Sequence, residues 1–353
     1  MMTDEEAIAQ VLNLFDADPG NRVRIRKNGR ILLVLPSDRE AARRALGLYQ
    51  PQRAQARLTM SLLRLANRAG LLRHILPQIS HSSPRKNQTE GLPKVFAGSL
   101  GILLGSPEHR VRRAIASYQT AKGWEVAKIA FGPNGWDVIR GESRALESLP
   151  QGTKAAPVLS GVHREENLSL MRMPYLQGTI IPQGETSDGI TLLESWISDL
   201  PAKPVLEFPE WPFIESALMG LPDGQRALEQ LSQLHLKPCV RHGDFARWNL
   251  LRIHDGTLMA LDWEWGTASG MPGIDLVHYF AQDARLVDRR IPTDVCRATE
   301  EALNLRACRD YLQRTGWGDQ TGLAILASIA FTVGAEQQAN TEVLAASLKV
   351  ILA

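Results

Sequence analysis

The stretch His242-Gly243-Asp244-Phe245-Ala246-Arg247-Trp248-Asn249-Leu250-Leu251, followed at a distance by Asp262-Trp263-Glu264, decides how the chain is read. An Asp and an Asn stand five residues apart. A second Asp lies eighteen residues beyond the first, directly after the apolar run Leu258-Met259-Ala260-Leu261. Asp244 is the candidate general base. An alcohol is a poor nucleophile, and a carboxylate within hydrogen-bond reach orients it and takes its proton as the new bond forms. Asn249 and Asp262 supply hard oxygen ligands of the kind that suit Mg²⁺. A base beside a hydroxyl, with an amide and a carboxylate for the metal on nucleotide phosphates, is the equipment of phosphoryl transfer. Any one of the three alone would be an ordinary loop residue.

The segment between them supports the joint reading. Leu250 to Leu261 reads as a hairpin around His254-Asp255-Gly256-Thr257, which would fold Asp262 back beside Asn249. His242 precedes the base by two residues, and His254 and His278 are near in sequence. No His-x-x-x-His or Cys-x-x-Cys spacing supports zinc, so His242 is expected to brace the loop through its imidazole.

At 353 residues the chain can bury a full core and divide into two or three parts. With 44% apolar and 22% charged residues it is an ordinary globular composition. Cys239, Cys296 and Cys308 are odd in number and lack metal-like spacing, which fits a reducing cytoplasm and no disulfide framework. No run of eighteen apolar residues suggests a membrane span, and Met1 to Gln10 has no basic-then-apolar leader pattern. The net charge of +2 conceals a segregation. From Asn21 to Lys94 there are sixteen Lys/Arg against three acids, a balance of +13, so the remainder carries −11. A basic arm is joined to an acidic body.

Taken in order, residues 1 to 20 read as a short acidic helix ending at Asp18-Pro19-Gly20. Arg22 to Arg26 and Ile31 to Leu35 read as strands joined by an Asn28-Gly29 turn. Ser37-Asp38-Arg39-Glu40 reads as a capping box that opens a helix to about Tyr49. Pro51 opens another, to about Ile75. That helix carries two stripes: Leu58, Leu62, Leu65, Ala69 and Leu72 on one side, and Arg53, Arg57, Arg64 and Arg68 on another. Two readings follow. The leucines dock on the protein and the arginines are solvated, or the helix presents a surface for an anionic membrane, a glycan or a partner protein. Nucleic acid is disfavoured, because no aromatic residues interleave the arginines.

Ser80 to Gly91 reads as a polar linker. Val95 to Leu104, Arg113 to Tyr118, Glu125 to Phe131 and Leu168 to Met173 read as strands, with a helix over Asp137 to Leu149 and a turn at Leu176-Gln177-Gly178-Thr179. Helices dominate afterwards: Leu192 to Leu200, Phe213 to Leu218, Gln225 to His235, Ile274 to Ala284, Thr293 to Arg314 and Thr321 to Gln338.

The opening stretch resembles the aminoglycoside phosphotransferase and choline kinase-like branch of the protein kinase fold. His242-Gly243-Asp244 with Asn249 matches that family's His-x-Asp-x-x-x-x-Asn loop. Asp262-Trp263-Glu264 matches its metal-binding segment, and Gly270-Met271-Pro272-Gly273-Ile274-Asp275-Leu276 its Gly-x-Pro-x-x-Asp-Leu turn. The helix Leu228 to His235 is similar to the family's helix ending in Leu-His. The resemblance covers about fifty residues. It implies an α+β, bilobal protein kinase-like fold, with an antiparallel β-rich N-lobe carrying one helix over 92–177 and an α-rich C-lobe over 178–353; the basic α/β extension over 1–91 precedes it and lies outside the family pattern.

It also implies a strand lysine on the nucleotide phosphates held by a helix glutamate. Lys128 in Val126-Ala127-Lys128-Ile129-Ala130 suits the first role. Glu142 suits the second, with Glu147 as the alternative. There is no G-x-G-x-x-G and no Walker A sequence. The phosphate-covering loop is therefore placed at Gly105-Ser106-Pro107-Glu108-His109-Arg110, with Ser106 on phosphate or the segment a plain turn. The adenine hinge is placed at Arg172-Met173-Pro174-Tyr175, where the backbone at Met173 and Tyr175 would pair with the purine edge. Arg247 would reach the transferring phosphate or be a solvated loop residue. Trp248 would pack the loop on the core or offer a stacking platform for substrate, Asp275 would accept backbone hydrogen bonds from the loop, and Glu264 would orient Asp262 or touch a second metal. The implied activity moves the γ-phosphate of ATP or GTP, with Mg²⁺, to a hydroxyl of a small molecule. That acceptor would be a sugar, an amino sugar, an antibiotic or an amino alcohol. Family membership does not name it, and two alternatives stay open: a nucleotide-binding pseudokinase or scaffold recruited through its basic N-terminal arm, or a peripheral enzyme of envelope-polysaccharide metabolism.

Overall fold

The computed structural model describes residues 2–17, 22–51, 54–79, 91–96, 98–106, 111–336 and 341–352. Helix α1 (Asp4–Leu14) begins at a complete capping box. The Thr3 hydroxyl accepts from Glu6 N–H and the Glu6 carboxylate accepts from Thr3 N–H. The chain then forms a hairpin, β1 (Arg22–Lys27) and β2 (Arg30–Leu35), turned at Asn28 and Gly29, both with positive φ as such tight turns require. The expected turn at Asp18-Pro19-Gly20 lies outside the described residues, as does the linker over 80–90.

Three helices follow: α2 (Arg39–Gly47), α3 (Ala54–Arg68) and α4 (Leu72–Ile75). The N-cap of α2 is Asp38, whose carboxylate accepts from Ala41 N–H, not the expected Ser37. Glu40 is turned instead to Arg43 and Arg44 on the helix surface. The single helix expected up to Ile75 breaks after Arg68, where Gly70 takes φ +73°. A side chain would be strained in that left-handed conformation.

Strands β3 (Gln78–Ile79), β4 (Gly101–Leu104), β5 (Arg113–Thr120) and β6 (Gly123–Phe131) come next, then helix α5 (Gly135–Ser148) and strands β7 (Gly161–Arg164) and β8 (Leu168–Pro174). All eight strands make one antiparallel sheet in the order β3-β1-β2-β4-β5-β6-β8-β7. β1, β2 and β3, which fall in the stretch expected as an extension over 1–91, belong to this sheet. β2 pairs with β4 at Leu33–Leu103 and Val34–Ile102. The first compact unit therefore runs from Met1 to Arg144 and from Pro157 to Gln177.

The reason lies in β2. Leu33 and Leu35 bury in a cluster with Ala42, Ala45, Leu46, Met60 and Leu63 on one face of the sheet. Val34, between them, buries in another with Ile8, Val11 and Leu12 of α1. A strand apolar on both faces needs covering on both faces and neighbours on both edges.

The second unit comprises Ala145–Ala156 and Gly178–Ala353. It holds small sheets and mostly helices. The strands are β9 (Gly178–Ile180), β10 (Lys203–Pro204), β11 (His235–Leu236), β12 (Cys239–Arg241), β13 (Leu250–Ile253), β14 (Leu258–Ala260) and β15 (Thr267–Gly270). The helices are α6 (Ser187–Ser195), α7 (Trp211–Leu218), α8 (Gly224–Ser232), α9 (Ile274–Gln282), α10 (Pro292–Leu303), α11 (Arg306–Thr315), α12 (Thr321–Glu336) and α13 (Thr341–Ile351). α12 packs on α7 and α9 and is apolar nearly all round, as a helix in the centre of a core must be.

Several elements differ from the expectation, among them the helix read over Leu192 to Leu200, which runs over Ser187–Ser195. The last two residues of the turn placed at Leu176 to Thr179 belong to β9, which adds to β13 at Leu251–Ile180. The helix expected to reach His235 stops at Ser232, because His235 and Leu236 pair with Lys203 and Pro204. The helix expected over Thr293 to Arg314 is two. Val295, Cys296, Thr299 and Leu303 share one buried face, whereas Cys308, Tyr311, Leu312 and Thr315 keep another phase. A straight helix cannot bury both sets on one side, so the chain extends at Leu305 and restarts.

The α+β class expected from the sequence is the class adopted. All three cysteines are free and buried, and burial pushes the Cys308 thiol up to about 12. Among the described residues no helix is long and apolar enough to cross a membrane.

Candidate active site

In the second unit, the loop after β12 is pinned from below by Asp275, near the start of α9. Its Oδ2 accepts from His242 N–H at 2.6 Å and its Oδ1 from Gly243 N–H at 2.8 Å. Asp275 is buried, so these two charge-assisted bonds are what make its burial tolerable. Gly243 takes φ +85°, and a Cβ there would stand 2.4 Å from Arg241 Nη1 and 2.5 Å from Trp265 Cβ. No other residue fits.

The imidazole of His242 is fully buried and spans the loop. Its Nδ1 accepts from Asp244 N–H at 3.2 Å, so its Nε2 carries the proton and donates to Leu261 O at 2.9 Å. Burial lowers its pKa from 6.5, which holds the ring in that neutral, bridging form. The brace expected of His242 thus joins the loop to the residue before Asp262.

The hairpin expected between Asn249 and Asp262 forms as β13 and β14. Leu250 pairs with Ala260, and Leu261 N–H donates to Asn249 O at 2.8 Å. Asn249 and Asp262 are therefore brought to the same end of the ladder. Asn249 closes a single turn of tight helix, Arg247–Asn249, and its amide nitrogen donates to Asp244 O and to Asp244 Oδ2, both at 2.9 Å. With the nitrogen committed to Asp244, the amide oxygen is the atom that can face a cation. Asp262 adopts φ +72°, in the left-handed region. Such a conformation costs a non-glycine residue on the order of 1–3 kcal/mol, and strain of this kind is concentrated at functional positions.

A group of three or more His, Cys, Asp or Glu placed to hold a metal does not occur among the described residues. Asn249 and Asp262 would instead supply two hard oxygens, with further ligands coming from phosphate and water. That is how Mg²⁺ is commonly held.

Asp244 is one-third exposed and its carboxylate is fixed from two sides. Asn249 holds Oδ2, and His278 Nε2 donates to Oδ1 at 2.9 Å. His278 is the functional neighbour that motif reading passes over. The signal is its spacing: Asp275 and His278, three apart on α9, share the helix face that looks onto the loop.

Beneath the loop, Phe245 meets Trp196 at 5.5 Å and Tyr279 at 6.0 Å, and Trp263 meets His242 at 4.7 Å. Packing expected of Trp248 is thus done by Phe245 and Trp263, while Trp248 is only half-buried. Glu210 is a second omission. It is fully buried, its Oε1 accepts from Arg241 Nε at 2.5 Å, and its Oε2 accepts from Met271 N–H, so it ties β12 to the turn before α9. Glu264 is half-buried.

Arg247 is not the solvated loop residue of one reading. It is buried, with Nε 3.4 Å from both Asp283 oxygens and Nη1 3.5 Å from Ile181 O. Burial raises the Asp283 carboxyl and the Arg247 guanidinium lowers it. At this long contact, burial prevails.

In the first unit, Lys128 on β6 donates to Glu142 Oε1 on α5 at 2.6 Å. The pairing selects Glu142 over Glu147 as the lysine's partner. Both side chains are largely shielded, which strengthens the attraction. Ser106 lies just past β4 and is exposed. Pro107 to Arg110, the rest of the loop assigned to phosphate, lie outside the described residues.

The hinge assignment changes. Tyr175 N–H donates to Trp124 O at 2.8 Å, and in the alternating ladder Met173 opposes Val126 in the same sense. Both backbones are turned to β6. Pro174, which lies between them and faces the other way, has no N–H to donate. The Tyr175 side chain also has structural work: its hydroxyl donates to Arg44 O and its ring lies 5.1 Å from the Arg44 guanidinium.

No protein-family model matches the chain, and neither does any curated protein. Among solved structures, aminoglycoside phosphotransferase APH(4)-Ia is similar at 12% identity and a TM-score of 0.48, covering 71% of this chain and 92% of that one. A thermostable mutant of the same enzyme, in ternary complex with ADP and hygromycin B, is similar at 13% identity and a TM-score of 0.45, covering 71% and 92%. Choline kinase from Cryptosporidium parvum Iowa II is similar at 11% identity and a TM-score of 0.41, covering 72% and 88%. At such identities the functional reading has to rest on the residues of this chain.

Proposed function

We propose that the chain is a phosphotransferase that moves the terminal phosphoryl group of ATP or GTP to a hydroxyl of a small molecule. One observation carries the reading. The Asp244 carboxylate is clamped between His278 and Asn249, and the backbone of Asn249 is bonded to the residue that precedes Asp262. A base and two oxygen ligands are thereby fixed on one loop and one hairpin.

The chemistry assigned to the chain's own residues is short. The acceptor hydroxyl donates its hydrogen bond to Asp244. As its oxygen bonds to the γ-phosphorus, the bond from that phosphorus to the bridging oxygen breaks, and the nucleoside diphosphate departs with the electron pair. Asp244 takes the hydroxyl proton. His278 and Asn249 keep the carboxylate aimed, so orientation is in place before the acceptor arrives. Held by Asn249 and Asp262, Mg²⁺ would offset phosphate charge. Lys128, kept extended by Glu142, is assigned to the nucleotide phosphates. Arg247, committed to Asp283, is assigned to holding the loop.

The test is a panel of hydroxyl acceptors (amino sugars, neutral sugars, choline and hydroxy amino acids) incubated with γ-labelled ATP or GTP and Mg²⁺. The expected result is label transfer to one acceptor class by the wild type and none by Asp244→Ala. Equal transfer by both proteins overturns the assignment.

A further inference from the structure

The outward side of α3 takes no part in the proposed chemistry. Leu58, Leu62 and Leu65 are 63%, 58% and 61% exposed. Their spacing puts them in one row along the helix. Met60, Leu63 and Asn67 are buried on the opposite side, Met60 and Leu63 against β2 and α2, and Asn67 donating to Arg39 O. Leu71 and Ile75, in the turn and short helix that follow, are also exposed. Single exposed leucines are ordinary on protein surfaces, but a row of them is a binding face. Arg57, Arg64 and Arg68 form a second row beside the leucines, about a quarter-turn round the helix. From Ala41 to Thr89 the chain has nine Lys/Arg and no Asp or Glu at all.

We infer that this face of α3 binds the surface of an anionic lipid bilayer, with the leucines entering the boundary between headgroups and acyl chains and the arginines meeting lipid phosphate. The charge argues for an anionic occupant. A second copy of the chain does not fit, because apposed leucine rows would bring arginine rows together with no carboxylate on either helix. The undescribed residues of this chain do not fit either, since beyond Met1 they contain no large apolar side chain. The leucines project as a ridge instead of lining a groove. A ridge suits a fluid surface that deforms around it, and long basic side chains beside it can reach up to the phosphates.

The test uses the full-length protein and sucrose-loaded vesicles of phosphatidylcholine, alone or with roughly 30% phosphatidylglycerol. The wild type is expected to sediment with the anionic vesicles and not with the neutral ones, and to be released as salt is raised from about 50 to about 500 mM. Arg57→Gln with Arg68→Gln weakens binding by about five-fold for each arginine lost. Leu62→Asp with Leu65→Asp weakens it by at least about ten-fold, with an unchanged circular dichroism spectrum because both side chains are exposed. No sedimentation of wild type with anionic vesicles at low salt overturns the inference, as does sedimentation that the leucine substitutions leave unchanged. A dimer in solution that Leu62→Asp with Leu65→Asp dissociates also overturns it, by giving the row to a second copy.

Discussion

The loop at His242–Asn249 and the helix α3 were both read from spacing, and they came out differently. In the loop, the spacing of chemically distinct groups left few ways to satisfy them. Asp275 takes two backbone N–H groups, His242 links Asp244 to Leu261, and Asn249 holds Asp244. In α3, the row Leu58, Leu62, Leu65 has the helical spacing of an apolar stripe, and it faces out. The helix docks through Met60, Leu63 and Asn67. A hydrogen-bonding group specifies its partner, whereas a leucine specifies only that something apolar should cover it. Which of two apolar stripes turns inward is settled by the sheet it meets.

The largest expected effect tests the loop. Asp244→Asn should lower phosphotransfer on the order of 10²- to 10⁴-fold while leaving the melting temperature near that of the wild type, since Asp244 is partly exposed. A large fall in stability would instead make Asp244 a structural residue. Next comes the contrast within α3. Leu63→Asp should cost roughly 3 kcal/mol or more in denaturant unfolding, because it buries a charge without a partner. Its neighbour Leu62→Asp should stay within about 0.5 kcal/mol of the wild type. Equal costs at the two positions would mean the exposed row is covered within the chain.

Asp275→Ala should cost roughly 3 kcal/mol by leaving two buried N–H groups without an acceptor, and the loss should appear in unfolding curves before any nucleotide is added. Asp262→Gly separates strain from chemistry. Removing the side chain relieves the left-handed backbone, so stability should hold or rise by about 1 kcal/mol, while phosphotransfer disappears. Stability lost together with activity would mean the carboxylate is held for the fold.

The smallest effect is a pH dependence. The folded-state pKa of His242 lies below 6.5, so below that value the unfolded chain binds a proton that the folded one does not. Stability should therefore decline as pH falls from about 6.5. His242→Asn should flatten that slope; an unchanged slope would assign it to other groups.

How much was legible follows the same division. Lys128 with Glu142, and Asp275 under the loop, were readable through the family resemblance, which says what kind of partner each should have. The hairpin joining Asn249 to Asp262 was readable from its turn residues. The hinge was not, because it is made of backbone, and strand register decides which amides point outward: Tyr175 N–H is spent on Trp124. Arg247 was ambiguous because its partner, Asp283, lies thirty-six residues away in no motif. His278 was within reach of the Asp275 spacing, but only after α9 was known to lie under the loop. The joining of the first hairpin to the sheet depended on β2 needing a second edge partner, which its continuous apolar run does not identify.

The most direct test of the central claim compares binding and turnover in one pair of proteins. Nucleotide affinity is measured by a fluorescent analogue with Mg²⁺, and hydrolysis or transfer by nucleoside diphosphate release, for the wild type and Asp244→Asn. Comparable nucleotide affinity in the two, with release falling on the order of 10²-fold or more in the variant, is the predicted result. Release that is equal in both proteins, or a wild type that binds no nucleotide, would contradict it.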